Sequence, residues 1–281
     1  MTDNTASGES SFDLVIEAGR AERHYWADLW RYRELFYFLA WRDILVRYKQ
    51  AALGAAWALL RPALTMLVFV VVFGRIARLP SGGAPYPLLV LAAMLPWQFF
   101  SAALSEASGS LVGNASLISK VYFPRIVVPA SAVIVGLADF LVSLALLAAL
   151  MAWYGFAPGP QLLALPAFTL MAFAAAFGAG VWLTALNVEY RDFRYVIPFL
   201  VQFGLYVSPV GFSSSVIPEH WRVLYSLNPM VGVIDGFRWA VLGGGYFYLP
   251  GFLVSLAVTL ALCAGGVSYF RKTEKTFADV I

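Results

Sequence analysis

The chain has 281 residues, of which 61% are hydrophobic and 12% are charged. Soluble domains have roughly 45–50% apolar and about 25% charged residues, so this composition excludes a fold around one aqueous core and indicates a membrane protein. The formal net charge of +3 is too small to indicate a nucleic-acid-binding surface, and the single cysteine, Cys263, excludes an internal disulfide.

The first 28 residues are polar and mixed in charge, without the apolar core of a signal peptide, so we expect a cytosolic N-terminal tail. Residues 29–52 then mix aromatic side chains such as Trp30 and Trp41 with basic ones such as Arg33 and Arg42. This composition favours an amphipathic helix in the headgroup layer, although helical projection gives two apolar strips rather than one face. An ordinary basic flank of the first span is the alternative.

Six apolar segments approach the roughly 20 residues that cross a hydrocarbon core. They cover residues 54–74, 87–104, 126–155, 162–186, 195–212 and 249–270. Each must be helical, because unpaired backbone groups find no water in lipid. The second and fifth are near the short limit. The sequence therefore predicts an all-α membrane protein with six transmembrane helices within residues 53–281.

Basic residues orient these helices, because cytosolic loops are enriched in Lys and Arg. With the N-terminus inside, the N-terminal arm, residues 112–125, residues 187–194 and the C-terminal tail carry 14 of the 19 basic residues. The opposite side carries only Arg75, Arg78, Arg222 and Arg238, while Arg61 lies within the first span. Both termini are therefore predicted to be cytosolic.

Residues 213–248, between the fifth and sixth spans, are too broken for a spanning helix. Asn228 is a good N-cap and Pro229 suits the first helical position, which predicts a helix over residues 229–242. Its length of about 21 Å cannot span the membrane. Residues 218–227 predict a second short helix, so we expect a re-entrant pair on the non-cytosolic side. A surface loop of amphipathic helices is the alternative.

Three ionisable residues fall within or beside spans, where such residues are functional candidates. Arg61 precedes Pro62 in the first span and is predicted to meet an anionic lipid headgroup at the cytosolic entrance; snorkelling to the interface is the alternative. Glu106 follows the second predicted span and Asp139 lies in the third. We expect these two carboxylates to tie helices together rather than to carry protons.

Aromatic side chains within the spans offer flat faces on which a sliding sugar polymer can stack. Phe199, Phe203 and Tyr206 recur at spacings of four and three, so they share one face of a helix. Ordinary packing or contact with lipid is the alternative for any single ring. The predicted channel-lining rings are Trp57, Phe69, Phe73, Phe199, Phe203 and Tyr206.

Two predicted cytosolic loops have the character of docking surfaces. Residues 114–125 can cap at Asn114 and form a short helix that exposes Leu117, Ile118 and Val121, for which an ATPase subunit is a natural partner. A charged companion loop holds Glu189, Arg191 and Asp192. A plain membrane-proximal connection is the alternative for both loops.

Enzymatic chemistry finds no support in the sequence. The chain lacks the G-x-x-x-x-G-K-[ST] phosphate loop of ATP-binding proteins. His24 and His220 stand alone, without metal-ligand spacing, and no Ser/His/Asp cluster can be argued. We therefore expect no catalytic residue and no metal or cofactor in this chain.

Several motifs in order resemble the membrane subunit of type-2 ABC exporters for polysaccharides, most of all permeases that export O-antigen, capsule or teichoic acid chains on a lipid carrier. The motifs are RYKQAALGAAWALLRPAL (47–64), LISKVYFPR (117–125), NVEYRDFRYVIPFLVQFGLYVSPVGF (187–212), LNPM (227–230) and FADVI (277–281). The likeness runs from about residue 30 to the end of the chain and implies transport of polyprenyl-linked polysaccharide, O-antigen being the favoured cargo.

The resemblance also implies partners and site residues. It implies a homodimer in the bacterial inner membrane with two copies of an ABC ATPase, which would hold ATP and magnesium, and a channel lined by the first and fifth spans. Leu53, Gly54 and Arg47 would lie near the headgroup entrance with Arg61, and Lys120 would join the ATPase contact. The periplasmic gate would comprise Pro218, Asn228, Pro229 and Met230.

Two other functions remain as alternatives. An ion-coupled small-solute carrier is disfavoured because neither an inverted repeat nor a chain of buried carboxylates is visible. A membrane enzyme acting on polyprenyl carriers would need an acidic cluster, and only the scattered Glu189 and Asp192 are available.

Overall fold

The computed structural model describes residues 25–49, 56–80, 83–243 and 247–277, and these residues are helical without a strand among them. The α-helices in chain order are α1 (Tyr25–Arg31), α2 (Arg33–Lys49), α3 (Ala56–Phe69), α4 (Tyr86–Gly113), α5 (Ala115–Ile118), α6 (Val127–Trp153), α7 (Leu165–Glu189), α8 (Phe193–Val207), α9 (Glu219–Tyr225), α10 (Pro229–Leu242) and α11 (Leu249–Thr273). A π-helical segment, Val70–Ile76, extends α3, and a 3₁₀ turn, Pro160–Ala164, precedes α7.

Five helical segments are long and apolar enough to cross a membrane, namely Ala56–Ile76, Tyr86–Gly113, Val127–Trp153, Pro160–Glu189 and Leu249–Thr276. This confirms an all-helical, multi-pass chain. The predicted fifth span corresponds to α8, whose 15 residues reach about 22 Å and fall short of a ~30 Å hydrocarbon core. A sixth crossing and the orientation of the termini stay predictions.

Two helices run further than the sequence pattern indicated. The second predicted span, 87–104, lies within α4, which has 28 residues and continues past Glu106 to Gly113. A carboxylate does not end this helix, because glutamate is a good helix former, and Glu106 is paired with Arg47 on α2. In the same way α7 continues to Glu189, so the first residues of the predicted loop 187–194 are helical. The amide of Asn187 is buried there and donates to the carbonyl of Ser108 on α4.

Helix α4 lies at the centre of the bundle and packs against α3, α6, α7, α8 and α10. Close approach of α4 to α6 and α7 depends on small residues: a Cβ at Gly136 on α6 would lie 3.3 Å from the Ala103 Cβ, and one at Gly180 on α7 would lie 3.0 Å from the Ala107 Cβ. In lipid, such small residues let helix backbones approach and gain dispersion contacts. The bundle therefore has a tight centre, with α3 and α8 on its periphery.

Helix α10 is part of the hydrophobic core, packed among α4, α7 and α11. Its bounds match the predicted 229–242: the Asn228 side chain accepts from the backbone N–H of Met230, and Gly243 ends the helix with φ of +65°. Burial of ten of its residues is incompatible with the surface-loop alternative for this helix. The companion α9 is shorter than predicted and has no buried residue.

The predicted N-terminal helix is divided at Tyr32, although helical hydrogen bonds continue across that residue, from the Tyr32 N–H to the Asp28 carbonyl and from the Phe36 N–H to the Tyr32 carbonyl. Helix α1 ends at Arg31 and α2 begins at Arg33, and residues 25–28, which precede the predicted start at residue 29, are already helical. Helix α2 packs along α6, which places its C-terminal residues beside the spans. Residues 50–55 lie outside the described part of the chain, and with them the predicted entrance residues Leu53 and Gly54.

Candidate functional site

A cavity of about 350 Å³ lies between α2, α3, α4 and α6. Its charged and polar lining comes from Arg47 and Tyr48 on α2, Arg61 on α3, Gln98 and Glu106 on α4, and Asp139 and Ser143 on α6. Its apolar lining includes Trp57, Pro62, Leu95, Phe99 and Phe140. The cavity therefore joins a charged wall to an aromatic one, which is the usual make-up of a small-ligand site.

Arg47 binds two carboxylates at once. One terminal nitrogen donates to Glu106 Oε1 on α4 and the other to Asp139 Oδ2 on α6, so a single guanidinium joins three helices. Although desolvation alone lowers the pKa of Arg47, the charges of Glu106 and Asp139 outweigh it and raise that pKa. The hydroxyl of Tyr48 donates to the other oxygen of Asp139. The expectation that Glu106 and Asp139 tie helices together agrees with this geometry.

Arg61 differs from Arg47 in having no carboxylate partner among the described residues. It is exposed in the isolated chain and lies about one and a half turns into α3, followed by the buried Pro62. Ser143 on α6 donates to the carbonyl of Ala58, which holds the start of α3 against the cavity. The structure thus brings the two predicted entrance arginines to one cavity, although Arg47 is already paired.

Three predicted channel rings form an exposed face on α8. Phe199 and Phe203 are stacked with their centroids 6.1 Å apart, and Phe199, Phe203 and Tyr206 expose 64%, 57% and 64% of their surface. The inner side of this helix has Gly204, where a Cβ would lie 2.6 Å from the Trp97 ring. Close packing on α4 therefore fixes which side of α8 carries the exposed rings.

The predicted rings on the first span divide into two groups. Trp57 is exposed and lines the cavity. Phe69 departs from the prediction: it is buried in the core and packs on Phe73, which is itself partly buried, with both rings against Gly211. Helical periodicity could not distinguish these rings, because the burial of Phe69 and Phe73 depends on a loop more than 130 residues away.

Side chains fix the loop that follows α8. Three consecutive carbonyls accept from them: Val210 from Arg238 Nη2 at 2.9 Å, Gly211 from the Tyr86 hydroxyl at 2.6 Å, and Phe212 from Arg238 Nη1 at 2.7 Å. The Nε–H of Arg238 donates to the Leu89 carbonyl on α4. Asn228 adds a bond to the Ser208 hydroxyl. This polar clamp satisfies backbone groups that would otherwise be buried without partners.

Arg238 was not singled out by the sequence, which places it among the basic residues of the non-cytosolic side. The available signal was Asp235 and Arg238 one turn apart in an otherwise apolar helix, since charged residues in such a helix need partners. Among the predicted gate residues, Asn228 caps α10 and Pro229 begins it. Met230 is fully buried, whereas Pro218 precedes α9 and is exposed.

One predicted docking residue is wrong in its exposure. Ile118 exposes only 6% of its surface and belongs to a second hydrophobic cluster with Tyr25, Phe123, Phe270 and Phe277. The chain turns after the four-residue helix α5, which directs Ile118 inward and leaves Lys120 and Val121 exposed, with Leu117 partly buried.

Two contacts anchor the segments around this loop. The backbone N–H of Arg125 donates to Glu274 Oε1 at 2.6 Å, so the region after α11 holds the end of the loop. In the companion loop, Glu189 accepts from the Tyr269 hydroxyl at 2.7 Å. Arg191 and Asp192 are exposed. These residues and the exposed part of the 114–125 loop lie at the α5 end of the bundle, the end that carries helix α5.

Comparison with known proteins gives consistent relatives. The ABC-2 type transporter family matches residues 34–242. An O-antigen export system permease protein RfbA from Myxococcus xanthus is 28% identical over 264 residues, covering 90% of this chain and 98% of the relative. One of the same name from Klebsiella pneumoniae is 25% identical, covering 85% and 92%.

A polysialic acid transport protein KpsM from Escherichia coli is 26% identical over 233 residues, covering 79% of this chain and 89% of the relative. The family match takes in the helices from α2 to α10, and so includes the cavity, the ring face of α8 and the Arg238 clamp. The chain belongs to the ABC-2 type transporter family of membrane proteins.

Proposed function

We propose that this chain is the transmembrane subunit of an ATP-driven exporter that moves lipid-linked polysaccharide, O-antigen above capsule or teichoic acid, across the bacterial inner membrane. The observation that carries the proposal is the exposed face of Phe199, Phe203 and Tyr206 on α8 in a member of the ABC-2 family. Stacked rings bind sugar faces without requiring one hydroxyl pattern, which suits a sliding polymer. Relatives named for O-antigen and polysialic acid transport support this cargo class.

The channel would form between two copies of the chain. Helices α3 and α8 both flank α4 and are largely uncovered; only 11% of the most apolar stretch of the first span is buried, against 72% for α4. A second copy that covers these helices would enclose the ring face together with Trp57. The α9–α10 region would close the far end of the channel as a gate.

ATP hydrolysis would take place in two copies of a separate ATPase subunit, which would hold the ATP and magnesium. Lys120 and Val121 supply an exposed contact, with Glu189, Arg191 and Asp192 as charged neighbours at the same α5 end. The second cluster behind Ile118 gives this surface a rigid support.

The cavity would receive the lipid headgroup before the glycan enters the channel. Of the two arginines that line the cavity, Arg61 has no carboxylate partner among the described residues, and a guanidinium binds phosphate oxygens in a bidentate manner. The pairing of Asp139 with Arg47 argues against the ion-coupled carrier, which would need a carboxylate that gains and loses a proton.

Reconstitution of the chain with its cognate ATPase and a lipid-linked glycan tests the proposal. We expect the glycan to cross the bilayer only with ATP, and replacement of Phe199 and Phe203 by Ala to slow crossing while the protein stays folded. Trp153→Ala, which removes an exposed ring from the end of α6, is the matched control. A glycan that neither crosses nor stimulates ATP hydrolysis would refute the assignment.

Val121→Asp tests the docking surface. Because Val121 is exposed, we expect the variant to fold normally and to lose glycan-stimulated ATP hydrolysis. Ile118→Asp would instead unfold the second cluster, so it cannot report on docking. Full stimulation of ATP hydrolysis in the Val121→Asp variant would show that the ATPase binds at a different surface.

A further inference from the structure

We propose that Glu274, which lies directly after α11, positions the 114–125 loop by capping the start of α6, and that it thereby sets the ATPase contact at the α5 end. The inference rests on the proposed function, because it names a residue on which that contact depends. Glu274 is a positioning residue: it acts through Arg125, the last residue of the loop, rather than by touching the ATPase.

The second half of the loop has few main-chain hydrogen bonds. The N–H of Val121 donates to the Leu117 carbonyl at 3.1 Å, and the N–H of Val127 donates to the Pro124 carbonyl at 3.1 Å. Among the described residues, Arg125 has the only bonded N–H between these two, and its acceptor is Glu274 Oε1 at 2.6 Å. The bond to Glu274 is therefore the main-chain attachment of this stretch to another segment.

Glu274 also supplies a cap that α6 lacks. A helix leaves its first N–H groups without partners inside the helix, and a polar side chain at the preceding residue usually accepts from one of them. Helix α6 begins after Ile126, whose apolar side chain cannot accept. The carboxylate of Glu274 instead approaches from the other end of the chain, at the positive end of the helix dipole, where a negative charge is favourable.

A second bond joins the same two residues. Nη1 of Arg125 donates to the backbone carbonyl of Glu274, so the pair is fixed in orientation as well as in distance. Orientation matters here because the loop changes from the exposed Val121 and Tyr122 to the buried Phe123 within two residues. A small rotation of this segment would change which side chains an ATPase can meet.

The neighbours of Glu274 hold it in place. It lies between Phe270 and Phe277, which are both buried and whose rings meet edge to face with their centroids 5.2 Å apart. The Arg271 guanidinium lies 4.7 Å from the centre of the Tyr25 ring on α1. A positioning residue needs such support, because a loosely held side chain cannot fix another segment.

The first measurement concerns the loop by itself. Glu274→Ala is made in the full chain in nanodiscs, and hydrogen–deuterium exchange is followed at the N–H groups of Arg125, Val127 and Val128. We expect exchange there to become faster by about tenfold or more, because a hydrogen bond to a charged acceptor is lost.

The second measurement concerns the ATPase contact. We expect the dissociation constant of the cognate ATPase subunit to rise by about tenfold or more in Glu274→Ala. The rate of ATP hydrolysis at a saturating concentration of that subunit should stay close to that of the wild type. A fraction of unfolded chain would lower the maximal rate and leave the dissociation constant unchanged, so this comparison separates positioning from a loss of folded protein.

Two further variants serve as controls. Lys272→Ala removes an exposed charge two residues from Glu274 and should change neither measurement. Glu274→Gln keeps the length of the side chain and one acceptor oxygen, but a neutral acceptor forms a bond about half as strong. It should therefore change both measurements in the same direction by about threefold, and it replaces Glu274→Ala if that variant does not fold.

Unchanged exchange in the folded Glu274 variants would overturn the inference. Faster exchange with unchanged ATPase affinity would also overturn it, because the position of the loop would then have no influence on the contact. A lower maximal rate without a loss of affinity would overturn it as well. A wild-type chain that binds no ATPase would contradict the proposed function, and the exchange measurement would then decide by itself whether Glu274 positions the loop.

Discussion

Arg238 and Arg47 both join helices to α4, at positions 17 residues or about 25 Å apart along that helix, and they do so in opposite ways. Arg238 is almost completely buried and donates to three backbone carbonyls. Arg47 leaves about a third of its side chain exposed and donates to two carboxylates that are similarly exposed.

The difference teaches how one kind of side chain serves two purposes. Backbone carbonyls neither titrate nor leave, and no water competes for Arg238 at its buried position, so the clamp after α8 is fixed. Carboxylates beside a water-accessible cavity can be rehydrated or displaced by another anion. The bonds of Arg47 can therefore be replaced by bonds to water or to another anion, whereas the bonds of Arg238 stay in place as long as the protein is folded.

Removing the clamp should have the largest effect. Arg238→Ala deprives three carbonyls of their donors and leaves Asp235 on the same helix without its neighbouring charge. We expect the free energy of unfolding to fall by about 3–5 kcal/mol, which is enough to prevent accumulation of folded protein. Thermal unfolding in detergent micelles measures it. Arg75→Ala, at an exposed position, should stay within about 0.5 kcal/mol. Similar stability of the two variants would show that the clamp is dispensable.

The region around Arg238 should also be more tightly packed than the region around Arg47. Gly236→Ala on α10 would place a Cβ 2.1 Å from the ring of Phe168, which is held by three other rings. We expect a loss of about 1–3 kcal/mol. Gly109→Ala, one turn from Glu106, meets nothing within 4 Å and should be neutral or slightly stabilising, because alanine favours helix. Equal changes in melting temperature for the two variants would show that the two regions are packed equally tightly.

Arg47→Ala should lower the free energy of unfolding less than Arg238→Ala, because water can reach both carboxylates that lose their arginine partner. We expect about 1–2 kcal/mol in thermal unfolding. The loss should shrink as ionic strength rises, since salt screens the repulsion left between Glu106 and Asp139. The Arg238 variant should show no such dependence. A salt-independent loss for Arg47→Ala would mean that packing rather than charge holds α2.

The smallest effect should come from Tyr48→Phe, which removes one hydroxyl from Asp139 and leaves the Arg47 pair intact. We expect about 0.5–1 kcal/mol in the same unfolding measurement. Ser143→Ala is a comparable deletion on α6, where the hydroxyl also bonds within its own helix. A loss as large as that of Arg47→Ala would show that Tyr48, rather than Arg47, fixes Asp139.

Much of the fold follows from local pattern. The bounds of α6, α10 and α11 agree with the predicted segments within three residues, because length, apolarity and caps such as Asn228 act within one helix. Spacing alone predicts that Phe199, Phe203 and Tyr206 share one face of α8, whereas packing on α4 decides that this face is exposed. The length of α4 exceeds the apolar segment, because glutamate is compatible with a helix and the charge of Glu106 is paired with Arg47, 59 residues earlier.

Exposure was the weakest expectation, since it depends on what covers a residue. Ile118 and Phe69 are apolar residues in plausible positions, yet segments distant in sequence bury both. The role of Arg238 cannot be predicted from a motif, because its partners are backbone carbonyls, which every residue has.

The sequence by itself determined the class of protein, the helical segments, the family and the ring spacing on α8, since each depends on composition or on contacts within one helix. Only the tertiary structure decided that Arg47 and Arg61 share one cavity, that two carboxylates already hold Arg47, and that Arg238 clamps the loop after α8. Those facts depend on helices that are distant in the chain and meet only when the bundle packs. A charged side chain between such helices is stable only where another helix supplies its partner.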